Sequence, residues 1–360
     1  MRSIVALCAL TKASCIFAYD ATLGFNSRPI IESRSIDDIH QAALQEGGIV
    51  TAWHGGDEEN QQGALKKAFE ERFPGVTLNI TVDLSKYHDG LIDEQLANKN
   101  LYVDSAILQT VHDYPRWKEE GALLNYAPLG FDKIHPSFRD IDAAFYGVRI
   151  FGWSGVWNTK KWDSSKGPIQ NFADFLNPEL RNRIVLTYPN DDDAVLYAFD
   201  LVMQQLGSEW LESLLAQNPL WVRGSATPTA IISQSNNSYV ASFIGGEADP
   251  SSGLNTSFPT DAPFVTWPQT AAIFKDAPHP EGAKLLHNFL ISKEWLESSK
   301  SWTVRTDAPP DYPNIFDTPG TNPTVFQGWM ANRNRVERLR FWFEKRLGTA
   351  QGLSPLDDNI

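Results

Sequence analysis

Ile49 to Trp53 forms an apolar, β-branched run that His54-Gly55-Gly56-Asp57-Glu58-Glu59 breaks with turn residues, the pattern of a buried strand entering a loop. Leu65, Ala68, Phe69 and Phe73 then fall at i, i+3, i+4 and i+8, which lines one helix face, and Pro74-Gly75 stops it. Val76, Leu78, Ile80 and Val82 alternate with polar residues, as a half-buried strand requires. A second helix carrying Leu91, Ile92 and Leu96 leads to the short apolar run Val103 to Leu108. The order β-α-β-α-β predicts an α/β fold with an open, mostly parallel sheet and crossover helices. Ligands bind beyond the carboxyl ends of such strands, which places His54 to Glu59 and Gln109-Thr110 at a candidate binding edge.

The stretch AFYGVRIFGWSGVW, residues 144 to 157, is too long for one ordinary strand, and its glycines suggest bends. It reads as chain crossing between two lobes. A strand at Ile184 to Thr187, the acidic turn Asn190-Asp191-Asp192-Asp193, and a helix carrying Ala194, Leu196, Tyr197, Phe199 and Leu201 follow. Tyr239 to Ile244 reads as the returning strand, and residues 247 to 263 as loop. Pro278 and Pro280 open a helix striped with Ala283, Leu286, Phe289 and Leu290. The last helix, Asn332 to Leu347, carries five arginines and an apolar stripe, read as an amphipathic helix packed on the body. These elements divide the chain into an N-terminal arm (19–46), a discontinuous first lobe (47–150 and 244–360) and an inserted second lobe (151–243).

Composition narrows the classes. At 360 residues, 42% hydrophobic and 21% charged, the chain is an ordinary globule, and no apolar run approaches membrane-spanning length. Met1-Arg2 followed by apolar Ile4 to Leu10 reads as a secretion signal over residues 1 to 18, with cleavage after Ala18. Cleavage would remove Cys8 and Cys15, the only cysteines, and with them disulfides, thiol nucleophiles and thiolate metal sites. It would also remove Arg2 and Lys12, moving the net charge from −13 to −15, a surface that repels nucleic acid. The sequons at Asn79, Asn236 and Asn255 are acceptor positions for glycosylation on a secretory route. A secreted monomer, or a periplasmic one in a bacterium, is expected.

Three segments carry a family resemblance: FYGVRIFGWSGVWNTKKW (145–162), NFADFLNPELRNRIVLTYPN (171–190) and VTWPQTAAIFKDAPHPEGAKLLHNFLISKEW (265–295). In this order they resemble the bacterial extracellular solute-binding proteins, in particular the branch of ferric-iron, thiamine and polyamine receptors of ABC importers. The resemblance implies a two-lobed, periplasmic-binding-protein-like type II fold with a ligand in the interlobe cleft, no cofactor and no catalysis. Iron-binding members use neighbouring tyrosines in the returning segment; Ser238-Tyr239-Val240 offers one, which weighs against iron. Whether a transporter reads the closed shape is left open.

The candidate ligand contacts are His54, Gly55 and Gly56, whose backbone N–H groups could meet an anion or carbonyl, and Gln109-Thr110 beside them. Asp191 and Asp192 could hold a cation, with one acidic residue of the turn capping the following helix. Trp153 and Trp267 could stack on a flat or cationic ligand, and Tyr239 could reach it. Metal ligands cannot be assigned. Two alternatives stand beside the receptor: an enzyme on the same fold, although G-x-S-x-G, H-E-x-x-H and G-x-x-x-x-G-K are lacking, or a secreted interaction protein that has lost its ligand.

Overall fold

The computed structural model describes residues 29–246, 250–299 and 302–357. The expected secretion signal and both cysteines lie outside them. The chain opens with β1 (Ile30–Ile31) and α1 (Ile36–Glu46), the latter started by a reciprocal Ser35/Asp38 capping box. The expected alternation follows as β2 (Ile49–Gly55), α2 (Gly63–Arg72), β3 (Thr77–Asp83), α3 (Ser85–Ala97) and β4 (Ser105–Leu108). Then come α4 (Asp113–Glu119), β5 (Tyr126–Ala127), β6 (Tyr146–Gly152) and β7 (Ser154–Asn158). Next are β8 (Val185–Thr187), α5 (Asp193–Leu206), α6 (Ser208–Ala216), β9 (Leu220–Val222), α7 (Thr227–Ser233), β10 (Ala241–Gly245) and β11 (Leu254–Ser257). The chain finishes with β12 (Thr266–Ile273), α8 (Pro280–Leu290), α9 (Lys293–Ser299), α10 (Phe326–Ala331) and α11 (Arg333–Leu347).

A five-stranded sheet, β3-β2-β4-β12-β6, organises the first core. Its β2 pairs in parallel with β3 and β4, whereas β12 runs antiparallel to both β4 and β6. The second core is built on β10-β7-β11, antiparallel, with the parallel pair β8-β9 joined to it through the bridge Ile184–Ala241. The fold is α/β with open sheets, and the sheets are mixed where the sequence suggested mostly parallel ones. The reason is that β12 re-enters the first sheet from the other lobe, so it arrives in the opposite direction.

The aromatic stretch divides at Trp153: β6 belongs to the first sheet and β7 to the second. Glycine is needed at 152, where a Cβ would come within 2.7 Å of Thr266 Cγ2 and 3.0 Å of the Val265 carbonyl. Beside it the chain returns. Trp153 N–H donates to Val265 O at 3.2 Å and Thr266 pairs with Gly152, so the two crossings lie side by side.

Three expected boundaries shift. The return crossing is at Val265–Thr266, not at 244, because β10 and β11 both pair with β7. The end of the chain crosses again: Phe326, Trp329, Met330, Val336 and Phe343 are buried in the second core with α5, because their apolar stripe finds its partner there. Residues 36–46 are no arm. Ile39 and Ala43 are fully buried in the first core, where α1 packs along α8. No helix among the described residues is long and apolar enough to cross a membrane.

Candidate functional site

The loop after β2, the start of α3 and the loop after β4 face the turn before α5 and the segment before α7 across the interlobe cleft. Together with the crossing strands they enclose a cavity of about 110 Å³. Gly55, Gly56, Gln109, Thr110, Trp153, Asp191, Asp192 and Trp267 all line it, eight of the ten expected contacts. His54 and Tyr239 do not. His54 is buried under the strand end with Nδ1 against the Gly55 carbonyl at 2.8 Å, and burial, with smaller contributions from Arg149 and His88, pushes its pKa down to about 4. Tyr239 packs with Val156, Val185, Ile232 and Leu254 in a separate cluster, because the strand return expected to carry it to the cleft lies elsewhere.

The glycines serve a different purpose from the expected one. The Gly56 N–H donates to Asp83 O at 3.0 Å and is not free for an anion. Both glycines are required by close approach: a Cβ at Gly55 would sit 2.0 Å from Ser85 Oγ, and one at Gly56 would sit 2.3 Å from Gln61 Oε1 and 2.7 Å from Val82 Cγ1. Ser85 in turn receives the Gln109 N–H at 3.0 Å, which ties the two first-lobe loops together.

Aromatic rings form one wall. Trp153 and Trp267 lie 4.9 Å apart with planes inclined at 58°, and Phe151 stacks near Trp267 at 6.0 Å. Trp267 Nε1 donates to Gln269 Oε1 at 3.2 Å, and Gln269 Nε2 donates to Ile107 O at 3.1 Å, so this ring is held in place. Trp153 Nε1 and Thr110 Oγ1 are enclosed without a hydrogen-bond partner. Buried polar atoms are normally paired, so these two are exceptions among the lining residues. Trp53, also at a strand end, stacks on His88 at 4.8 Å and is not among the lining residues.

Charge forms the opposite wall, and much of it joins the lobes. Lys86, on α3, donates to the Asp191 carbonyl at 2.6 Å and to its Oδ1 at 2.5 Å. Arg223 holds Asp191 Oδ2 at 2.9 Å and donates to Tyr87 OH at 2.6 Å. Burial pushes the Asp191 carboxyl up, but Lys86 and Arg223 outweigh it and hold the group below the usual carboxylate range. Asp57, 5% exposed, reaches from the first lobe to the start of α7, where its Oδ2 accepts from Ser225 N at 2.8 Å, Ser225 Oγ at 2.5 Å and Ala226 N at 3.2 Å. Burial raises its pKa despite those donors.

Within the acidic turn the three carboxylates take three roles. Asp192 caps α5, its Oδ1 accepting from Val195 N at 2.9 Å, and burial, aided by Asp57 and Asp193, pushes its pKa up to about 7. Asp193 is paired with Arg333 at 3.4 Å and Arg340 at 2.5 Å, both on α11. Sequence reasoning missed Asp57, Lys86, Ser225, Gln269 and Arg340 as members of the cavity lining. Only Asp57 had a local signal, its place in the turn; the others come from elements whose partners are set by packing.

Among the described residues no three His, Cys, Asp or Glu side chains are arranged to hold a metal ion. His287 does form a hydroxyl-imidazole chain, with Nε2 2.7 Å from Ser105 Oγ and Nδ1 2.6 Å from Tyr146 OH, but all three residues are buried inside the first core.

Two mixed α/β lobes around a cleft walled by both define a two-lobed ligand-binding protein. Residues 109–303 match the family described as bacterial extracellular solute-binding protein, and the chain belongs to that family. Comparison with curated proteins found no match. Solved structures share the fold. The substrate-binding protein of an ABC transporter from Agrobacterium tumefaciens superposes with a TM-score of 0.71 at 14% identity, covering 85% of this chain and 97% of that one. AfuA from Actinobacillus pleuropneumoniae, with fructose-6-phosphate bound, gives 0.66 at 18% identity, covering 84% and 99%. Iron-bound HitA from Pseudomonas aeruginosa gives 0.58 at 16% identity, covering 82% and 99%.

Proposed function

We propose that this protein is an extracellular receptor that closes its two lobes over a small organic solute and performs no chemistry on it. The observation that carries the reading is the composition of the cavity. Trp153 and Trp267 offer ring faces, Thr110 and the Trp153 indole offer unpaired polar atoms, and the wall contributed by the second lobe is acidic. A ligand touching both lobes favours the closed form over the open one, so binding becomes a change of shape.

Iron, as in HitA, fits less well, since among the described residues no three His, Cys, Asp or Glu side chains are arranged to hold it and no tyrosine lines the cavity. An enzyme fits less well too: the buried His287 chain has no access to the cleft, and the Ser225 hydroxyl, although it meets Asp57 Oδ2, has no histidine beside it among the cavity-lining residues. Of the sequons, Asn236 and Asn255 are exposed, whereas Asn79 Nδ2 already donates to Thr51 Oγ1 and Tyr102 OH, so only the first two suit a glycan. Thermal-shift screening across organic cations, sugars, sugar phosphates and ferric salts tests the reading. A raised melting temperature, quenched tryptophan fluorescence and unchanged solute support it; turnover of the solute, or stabilisation by ferric ion alone, would reject it.

A further inference from the structure

Around the cavity most charged groups have a counter-charge, and two do not. Asp191 is paired with Lys86 and Arg223, and Asp193 with Arg333 and Arg340. Asp57 and Asp192 meet only N–H and O–H donors, and neither forms an ion pair among the described residues. The donors take Oδ2 of Asp57 and Oδ1 of Asp192, which leaves the other oxygen of each carboxyl for something else. One carboxyl comes from each lobe, and both line the same cavity.

A pair of acidic groups is not a site without a sign of the ligand itself. That sign is Thr110, a lining residue only 4% exposed, whose Oγ1 has no partner. Trp153, which also lines the cavity, has an enclosed Nε1 without a partner, and that atom is a donor only, so an acceptor on the ligand would suit it. The paired rings of Trp153 and Trp267 supply faces that attract an organic cation.

We propose that Asp57 and Asp192 form one cation site divided between the lobes, in which a small organic ammonium ion bearing a hydrogen-bond acceptor takes the place of a proton. The inference rests on the receptor reading above and specifies its solute. The exchange balances: the ammonium ion enters with its charge intact, one proton leaves the carboxyl pair to solvent, no covalent bond within the ligand changes, and the net charge of the site is conserved. Burial keeps Asp192 protonated to about 7 and raises Asp57 as well, so a proton is present to be displaced near neutral pH. The other charges facing Asp192 are Asp191 and Asp193 beside it, Lys86 from α3 and Arg340 from α11. Each of the two cations is already engaged by its own aspartate.

Calorimetric titration with ethanolammonium chloride, in two buffers of different ionisation heat at pH 6 and pH 8, tests the exchange. Sodium chloride and ethylene glycol serve as the ionic and neutral controls. The expected result is release of about one proton at pH 6 and about a tenth of one at pH 8, with binding about tenfold tighter at pH 8, because a group titrating near 7 is mostly protonated at pH 6 and mostly ionised at pH 8. Asp192→Asn keeps the helix cap and Asp57→Asn keeps an acceptor for Ser225, so both variants should fold and bind at least tenfold more weakly, and Asp192→Asn should also lose the pH dependence. Carboxyl NMR titration of the free protein gives a second readout: at least one of the two aspartates should titrate near neutrality. Ordinary acidic titration of both, affinity independent of pH, failure of ethanolammonium to bind at either pH, or equal binding of ethylene glycol would each overturn the proposal. A neutral or anionic solute that closes the lobes would uphold the receptor and overturn only the ammonium site.

Discussion

Replacing Lys86 by Met removes the charge that joins α3 of the first lobe to the acidic turn of the second while keeping most of the side-chain volume. Lys86 makes two hydrogen bonds to Asp191, one to the carbonyl and one to the carboxylate, and Asp191 remains on the acidic side of its usual range although it is largely enclosed. Attraction from Lys86 and Arg223 therefore exceeds the burial penalty. A charge-assisted hydrogen bond is worth roughly 1.5–3 kcal/mol when buried. The Lys86 side chain is 33% exposed, so screening reduces this, and about 1–2 kcal/mol is the appropriate scale. Because the contact exists only when the lobes meet, its loss falls on the closed state alone. The ratio of closed to open protein should drop about five- to thirtyfold without ligand. Adding Tyr87→Phe removes the Arg223 contact from the same helix and should enlarge the effect. Small-angle scattering of the ligand-free proteins measures this directly: the double variant should show the larger radius of gyration, with high salt moving the unaltered protein in the same direction. An identical radius for both proteins in low salt would show that these side chains do not hold the lobes together.

Asp192→Asn should change stability in a pH-dependent way. The folded pKa of Asp192 lies above its unfolded value, so its contribution is most favourable in acid and is lost as pH rises through about 7. Relative to the unaltered protein, the Asn variant should therefore gain up to about 2–3 kcal/mol between pH 5 and pH 8 in urea denaturation; a gap that stays constant with pH would contradict the burial argument. Phe343→Ala should cost about 3–5 kcal/mol, since the ring is fully buried with Phe199 at 5.4 Å; a loss below about 1 kcal/mol would mean that α11 is not part of the second core. Tyr239→Phe should leave solute affinity unchanged within twofold by calorimetry, because its ring packs outside the cavity.

Much of the first lobe was legible because its signals are local. The strand-helix-strand alternation from Ile49 to Leu108 follows periods that any short window displays, and Pro74-Gly75 ends α2 within a residue of the expected place. Trp153 was legible as a crossing because glycines interrupt an apolar run too long for one strand. The error at residue 244 has a physical origin as well. β10 has five residues, β11 four and β12 eight, and nothing within each states which sheet will accept it. Likewise the apolar stripe of α11 shows that the helix must be covered, but a stripe carries no address for the covering surface.

The site divides in the same manner. Local turn chemistry placed Gly55, Gly56, Gln109, Thr110, Asp191 and Asp192 at strand ends, and the topology of open α/β sheets sent those ends to the cleft. That His54 turns inward and that Gly56 is needed for space and not for its N–H follow only from packing within the first lobe, and that Asp57 spans to Ser225, 168 residues away, follows only from the meeting of the two lobes. Sequence by itself determined the class of fold, the family and the neighbourhood of the binding edge, because periodicity, turn residues and ordered motifs are properties of contiguous chain. Tertiary structure alone decided which lobe owns the C-terminal helix, which aspartates find counter-charges and which are left without one. Those outcomes depend on distances between residues far apart along the chain, and electrostatic balance in a closed cleft is set by such distances.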